Sequence, residues 1–396
     1  MTGPAAADEA YMSQALSLAE RGRGTSHPNP VVGAVIVRKG DVLARGFHRR
    51  AGLPHAEIVA LTRLGMRAPG ATLYVTLEPC CHSGRTGPCT DAILAAGITR
   101  VVIGCRDENP LVSGRGIRIL RRAGLEVVTG CLQDECHRQN RAFFTWIRRQ
   151  RPWIVLKAAA TLDGFIGDRR EGQRSGPTRW ITGVEARAWA HRMRAEHDAV
   201  LVGIGTILAD DPLLTVRLAG SSRHRRLPLR VVLDSRLRTP TTAALLRPAG
   251  GHPPPLLVAR APSRADPGLA ARAKRLTATG AEVVLLAPDS GRDPDNDDGH
   301  VALPPLLREL AGRQVQSLLV EGGSRIHGAF LRQHLLDAIA LFLAPRLVGR
   351  GVPVVEGGGL DFKRPAKLGP MHIRRLGSDV LITADVIDPG QVLRST

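Results

Sequence analysis

From residue 72 onward the chain alternates short apolar runs with helix-period segments. ATLYVTL, TRVVIGC and LEVVTG read as strands, and CTDAILAAG and GIRILRRAG between them read as helices. Such an alternation excludes an all-helical bundle and an all-β sandwich, and argues for layered α/β structure. Upstream, apolar positions recur at helical spacing from residue 9 to about 22 (Met12, Leu16, Ala19). VVGAVIVRKGDVLARGFH then reads as a hairpin turning at Lys39-Gly40-Asp41, and PHAEIVALTRLG as a helix with His55 and Glu57 in its first turn. A helical run from about Leu132 to Arg149 leads to Arg151-Pro152. There the pattern restarts with WIVLKAAATLDG and continues through DAVLVG, RVVLDS, PLLVA, AEVVLL, SLLVEGG and DAIALFLAP. It closes in a hairpin at Gly377-Ser378.

A length of 396 residues is too great for one ordinary core and suits two domains, which we place at 1–148 and 149–396. The formal charge of +19 raises the possibility of a nucleic-acid partner. Only five of the 55 basic residues are lysine, however, and the arginines are spread along the whole chain. Seven Phe, four Trp and two Tyr are too few for a surface that stacks bases, so neither nucleic acid nor membrane is expected as a partner. The N-terminus does not read as a signal peptide and no apolar run is long enough to span a bilayer, so a cytoplasmic protein with reduced thiols is expected. The polar segment at 288–300 reads as a mobile surface loop.

In the cytoplasm, clustered cysteines point to metal or catalysis more than to disulfides. EPCCHSGRTGPC, residues 78 to 89, holds three of the six cysteines. His55 and Cys89 each open a helix and Cys80 follows a strand, so three ligands can converge on one ion, with thiolates favoured at helix N-termini. Glu57, two positions after His55, points about 200° around the helix axis and can reach a water on that ion without ligating it. This matches the zinc nucleobase deaminases, which carry H-x-E, then P-C and a second cysteine, with the glutamate as proton shuttle. The gap of eight residues between Cys80 and Cys89 departs from the usual P-C-x-x-C. A closed structural zinc site with Cys81 or His82 as a fourth ligand is the competing reading. Asn29, His48 and Asn109 are pocket or turn residues, and Cys105, Cys131 and Cys136 ordinary buried thiols.

PNPVVGAVIV, GFHRRAGLPHAE, TLYVTLEPCCHSGRTGPC and GCRDENPLVSGRGIRILRRAG together resemble the deaminase domain of the bifunctional deaminase/reductase of riboflavin biosynthesis, in which the longer cysteine spacing is the norm. The resemblance implies a cytidine-deaminase-like three-layer α/β/α domain holding zinc through His55, Cys80 and Cys89. Glu57 would be catalytic, and the insert from His82 to Pro88 would shape the pocket. KAAATLDG, TRWIT, RAEHDAVLVGIGTILADDPLLTVR, VVLDS and VEGGSRIHGAFL likewise resemble the reductase domain of that family, a dihydrofolate-reductase-like α/β domain that uses NADPH. Carried over by position, the resemblance implies cofactor contacts from Ala159, Trp180, Thr206, Asp210, Ser235, Gly323, Ser324, Arg325, Ile326, His327, Gly328 and Ala329. It implies substrate contacts from Thr178, Arg194, Leu214, Arg217 and Glu321. Lys157 is either a charge near substrate or a snorkelling strand residue.

The expected function is zinc-dependent deamination of a phosphoribosylated aminopyrimidine, then NADPH-dependent reduction of its ribosyl chain, by a homo-oligomer. The alternative is a nucleic-acid-editing zinc deaminase with a basic C-terminal binding domain.

Overall fold

In the computed structural model, the described residues are 6–81, 87–168, 180–218, 226–262, 266–287, 299–359, 363 and 365–387. Thr178, most of the insert at 82–88 and most of the segment at 288–300 lie outside them. The chain divides into two compact units, Met1–Gln150 and Arg151–Thr396. Among the described residues no helix is long and apolar enough to cross a membrane.

The first unit runs α1 (Ala6–Ala19), β1 (Gly33–Arg38), β2 (Asp41–Phe47), α2 (Ala56–Thr62), β3 (Thr72–Leu77), α3 (Cys89–Ala95), β4 (Arg100–Cys105), α4 (Arg115–Arg122), β5 (Glu126–Thr129), α5 (Gln133–Gln139) and α6 (Arg141–Arg149). Its sheet has the order β2-β1-β3-β4-β5, antiparallel about β1 and parallel from β3 to β5. Alternate strand residues face opposite sides, and each side is covered. Ile36, Leu73, Val75 and Ile103 pack against Leu61 of α2, Ile93 of α3 and Leu120 of α4. Val35, Tyr74 and Val102 pack against Met12 of α1 and Phe143 and Phe144 of α6. Burial on both faces is why these strands read as near-continuous apolar runs.

The helical run expected from Leu132 to Arg149 is two helices. Asn140 lies between them at φ −111°, ψ 15°. Its side chain accepts from the Val31 N–H and donates to the Val31 carbonyl, both at 2.9 Å. A buried asparagine that satisfies a loop backbone outweighs the continuity of a helix, since each unmade buried bond costs about 1–3 kcal/mol.

The second unit runs β6 (Trp153–Thr161), β7 (Phe165–Gly167), α7 (Val184–Glu196), β8 (Ala199–Gly203), α8 (Ile204–Asp210), β9 (Leu229–Leu233), β10 (Leu256–Arg260), α9 (Pro267–Ala278), β11 (Glu282–Leu286), α10 (Leu303–Gly312), β12 (Ser317–Gly322), α11 (Ser324–Arg332), β13 (Ala338–Ala344), β14 (Val352–Pro353), β15 (Lys367–Leu368), β16 (His372–Leu376) and β17 (Asp379–Ile387). The main sheet has the order β11-β10-β9-β8-β12-β6-β13-β17-β15, with β16 also on β17. It is parallel from β11 to β13 and antiparallel beyond. Sequence order reverses around β8, β12 and β6, so their carboxyl ends open onto the crevice where parallel α/β sheets bind ligands.

Candidate active sites

In the first unit, His55 is the N-cap residue of α2, Cys80 follows β3 through Pro79, and Cys89 is the first residue of α3. His55 Nδ1 lies 3.3 Å from Cys89 Sγ and 3.5 Å from Cys80 Sγ. Tetrahedral zinc with ordinary Zn–N and Zn–S lengths would set a nitrogen and a sulfur about 3.6 Å apart, so the donor set fits the ion. Among the described residues these three form the sole group of histidine, cysteine and acidic side chains gathered closely enough to hold a metal. Cys81 turns its sulfur toward the Leu111 carbonyl, 4.0 Å away, and is outside the group.

Two sulfurs in contact cannot both be ionised without a cation beside them. Hydrogen bonding from Cys89, helped by His55, pulls Cys80 down to about 4, while the same contact with Cys80 pushes Cys89 up. His55 is raised, first by its bond to Cys80. Glu57 is buried at 3% exposure; burial raises its carboxyl above the ordinary range, against the pull of His55.

Behind this group lie contacts that the sequence did not reveal. Glu78, at the end of β3, is 3% exposed. Its Oε2 accepts from the N–H of Gly114 at 2.8 Å and of Asp107 at 3.3 Å, and its Oε1 from Ile117 N–H at 3.2 Å. The carboxylate therefore fastens the strand end that carries Cys80 to the start of α4, where negative charge is favoured. Gly116 packs so tightly on the Pro79 carbonyl that a Cβ would overlap it. His48 is buried, with Nε2 3.0 Å from Asn29 Nδ2 and Nδ1 3.2 Å from the Pro54 carbonyl, so it steadies the segment entering His55. Asn109 fills a turn role, its Oδ1 accepting from Leu111 N–H at 3.1 Å.

In the second unit the candidates gather at the carboxyl ends of β6, β8 and β12. Arg194 on α7 makes a two-pronged pair with Glu321 on β12, Nε to Oε1 at 2.8 Å and Nη2 to Oε2 at 2.6 Å. Two residues taken separately as substrate contacts thus bind each other. Burial alone would raise Glu321, but Arg194 and Lys157 outweigh it and hold the carboxyl at about 2. Burial lowers Lys157 despite that carboxylate, and its ammonium lies 5.5 Å from the centre of the Phe342 ring.

Gly323, at φ +95°, turns the chain into α11. Gly322 lies so near α8 that a Cβ would come within 2.7 Å of Thr206 Oγ1, which brings the two candidate cofactor turns together. Ser324 Oγ is buried there with no partner among the described residues, as expected of a group awaiting a ligand oxygen. The remaining candidates are less concentrated. Trp180 is 54% exposed under Arg187, Ser235 Oγ accepts from Val301 N–H at 3.1 Å, and Arg325 is exposed beside Glu356. Burial raises the Asp210 carboxyl, while its neighbour Asp211 accepts from Ala244 N–H at 2.7 Å. Leu214 is buried at φ +54°.

Comparison with known proteins agrees with both units. The cytidine and deoxycytidylate deaminase zinc-binding region matches residues 5–105, and the RibD C-terminal domain matches residues 152–382. The riboflavin biosynthesis protein RibD of Aquifex aeolicus is 40% identical, over 95% of this chain and 97% of its own. The chain belongs to the RibD family.

The Escherichia coli RibD protein is 39% identical over 95% of this chain and 98% of its own. Among solved structures, Acinetobacter baumannii RibD superposes with a TM-score of 0.81 at 34% identity, over 96% of this chain and 99% of that one. A Thermotoga maritima diaminohydroxyphosphoribosylaminopyrimidine deaminase/5-amino-6-(5-phosphoribosylamino)uracil reductase gives 0.78 at 35%, with the same coverage. As a RibD protein the chain is a bifunctional enzyme of riboflavin biosynthesis, a zinc deaminase joined to an NADPH-dependent reductase. The alternative of a nucleic-acid-editing deaminase is not supported, because the second half is the RibD reductase domain.

Proposed function

We propose that the first unit deaminates 2,5-diamino-6-(5-phosphoribosylamino)pyrimidin-4(3H)-one. The second would then reduce the ribosyl chain of the product, 5-amino-6-(5-phosphoribosylamino)uracil, to ribityl. The observation that carries the reading is the convergence of His55, Cys80 and Cys89 with Glu57 buried near them, in a chain of which 95% matches a RibD protein.

His55, Cys80 and Cys89 would hold zinc, which as a Lewis acid brings the pKa of a water to roughly 7. Glu57 takes the proton of the attacking water and returns protons to the ring nitrogen and the departing amine. A carbon–oxygen bond replaces the carbon–nitrogen bond, and ammonia leaves. Burial suits Glu57 to this work, because a carboxyl raised toward neutrality can both accept and release a proton. In the second unit NADPH would supply hydride to the open-chain carbonyl carbon of the ribose. The turn and helix start from Gly323 to Ala329, with Ala159, Trp180, Thr206, Asp210 and Ser235, would seat the cofactor. Leu214, Arg217, Thr178 and the Arg194–Glu321 pair would seat the substrate, Arg217 meeting its phosphate.

Glu57→Gln tests the first assignment. It should keep zinc at one ion per chain by elemental analysis and lose deamination by about 10²–10⁴-fold. NADPH oxidation with the deaminated substrate should continue. A variant that loses zinc as well would make Glu57 part of a structural site, and no substrate-dependent NADPH oxidation would remove the second assignment.

A further inference from the structure

Arg217 is an exposed arginine on an irregular stretch, yet that stretch is gripped at each residue. The Thr215 carbonyl accepts from Arg194 Nη1 at 3.1 Å. Val216 N–H donates to His252 Nε2 at 3.4 Å. One ring faces Arg217 at two points, His191 Nε2 3.4 Å from the guanidinium Nη2 and Nδ1 3.3 Å from the backbone N; a neutral imidazole has one unprotonated nitrogen, so it accepts from the fork or from the backbone, according to its tautomer. His191 stands one turn before Arg194 on α7, so the two side chains project from one face of the helix. An unrestrained surface arginine loses about 2 kcal/mol of rotamer freedom when it grips a ligand. With the proton on Nδ1, Nε2 accepts from the fork, and a ring that holds the fork in this way has met part of that cost beforehand.

We propose that His191 is a positioning residue, aiming Arg217 at the phosphate of the reductase substrate; this rests on the reading of the reductase site given above. The ring must be neutral to accept hydrogen bonds, and its surroundings keep it so. Burial, then Arg194 and Arg217, lower His191 to about 4, against the opposing pull of Glu321 on β12 and the backbone of Thr215. Neither His191 nor its contact with Arg217 could be anticipated from a glycine-rich or arginine-rich motif. The signal available was the His-x-x-Arg spacing on a helix ahead of the strand DAVLVG.

The experiment compares kcat/KM for 5-amino-6-(5-phosphoribosylamino)uracil with that for its dephosphorylated ribosyl counterpart. The full-length enzyme would be used, with NADPH saturating. His191→Ala should lower this ratio about tenfold, mainly through KM for the phosphorylated substrate. His191→Gln, which restores one acceptor, should recover most of it. The same substitution should add little in an Arg217→Ala background, since the fork being aimed is gone. His191→Leu, which fills the space without an acceptor, gives the same reading should the alanine variant fold poorly. Equal losses on both substrates, or full additivity with Arg217→Ala, would overturn the proposal. A normal ratio in Arg217→Ala would overturn the site reading itself. A depressed ratio in Arg217→Ala beside a normal one in His191→Ala would remove His191 alone.

Discussion

Replacing Glu78 by glutamine changes one atom and should disable the deaminase site from behind. The carboxylate accepts three backbone N–H groups, from Asp107, Gly114 and Ile117, at 3.3, 2.8 and 3.2 Å. All three donors are buried. A glutamine oxygen turned toward Gly114 keeps the bonds from Gly114 and Asp107 but presents its NH₂ to the N–H of Ile117, donor against donor. The two retained bonds lose their ionic character, worth about 1 kcal/mol each, and the stranded donor costs about 2 kcal/mol more, for a total of about 4 kcal/mol. For a unit of this size that corresponds to a fall in Tm of roughly 10 °C. The strand end carrying Cys80 should loosen with it. Zinc release to a chromogenic chelator should quicken and deaminase kcat/KM fall, while NADPH oxidation with the deaminated substrate persists. The assays are calorimetry, chelator-trapped zinc release and the two activities measured on one preparation. A variant melting within about 2 °C of the parent, with unchanged zinc release, would show that the three bonds do not hold the site and would refute the reasoning.

Gly116→Ala should act through the same joint, since the added Cβ would overlap the Pro79 carbonyl. Deaminase activity should fall while the reductase is spared, as read by the paired assays. Removing zinc with a strong chelator at neutral pH should abolish deamination, leave substrate-dependent NADPH oxidation intact, and be reversed by adding the ion back. Glu321 is held at about 2 in the folded chain against an ordinary value near 4.3, so its contribution to stability is complete above that ordinary value and lost as pH falls toward 2. Wild type should therefore lose about 3 kcal/mol more than Glu321→Gln between pH 5 and pH 2, measured by urea unfolding at each pH. Parallel pH profiles for the two proteins would argue against the Arg194–Glu321 pairing.

The elements themselves were legible because apolar period and burial coincide. TLYVTL and RVVIGC are strands covered on both faces, and the zinc candidates stand at element ends, where a histidine or cysteine can be recognised by type and spacing. Glu78 was legible as a residue and not as a function. Its partners are backbone N–H groups 29 to 39 residues ahead. A backbone donor carries no letter in the sequence, so nothing separates an anchoring carboxylate from a solvent-facing one until the loop is folded. Asn140 eluded the sequence for the same reason, for its partner Val31 is 109 residues away and helical periodicity passes through an asparagine unbroken.

The reductase unit adds a different limit, because there the residue types were read and their relations were not. Arg194 and Glu321, 127 residues apart, look from sequence like two independent groups for a substrate. Paired, they cancel most of each other's charge, and a buried pair of this kind adds little net stability while fixing the direction of both side chains. Lys157 also faces the Glu321 carboxylate, so the charge left for a ligand is that of exposed Arg217, beside the His191 ring. The proposed substrate is a phosphate monoester, which carries nearly two negative charges near neutral pH. A Glu321 carboxylate without Arg194 would oppose that anion. Arg194 removes the opposition, and its guanidinium, donating through Nη1 to the Thr215 carbonyl, ties the paired side chains to the stretch that presents Arg217.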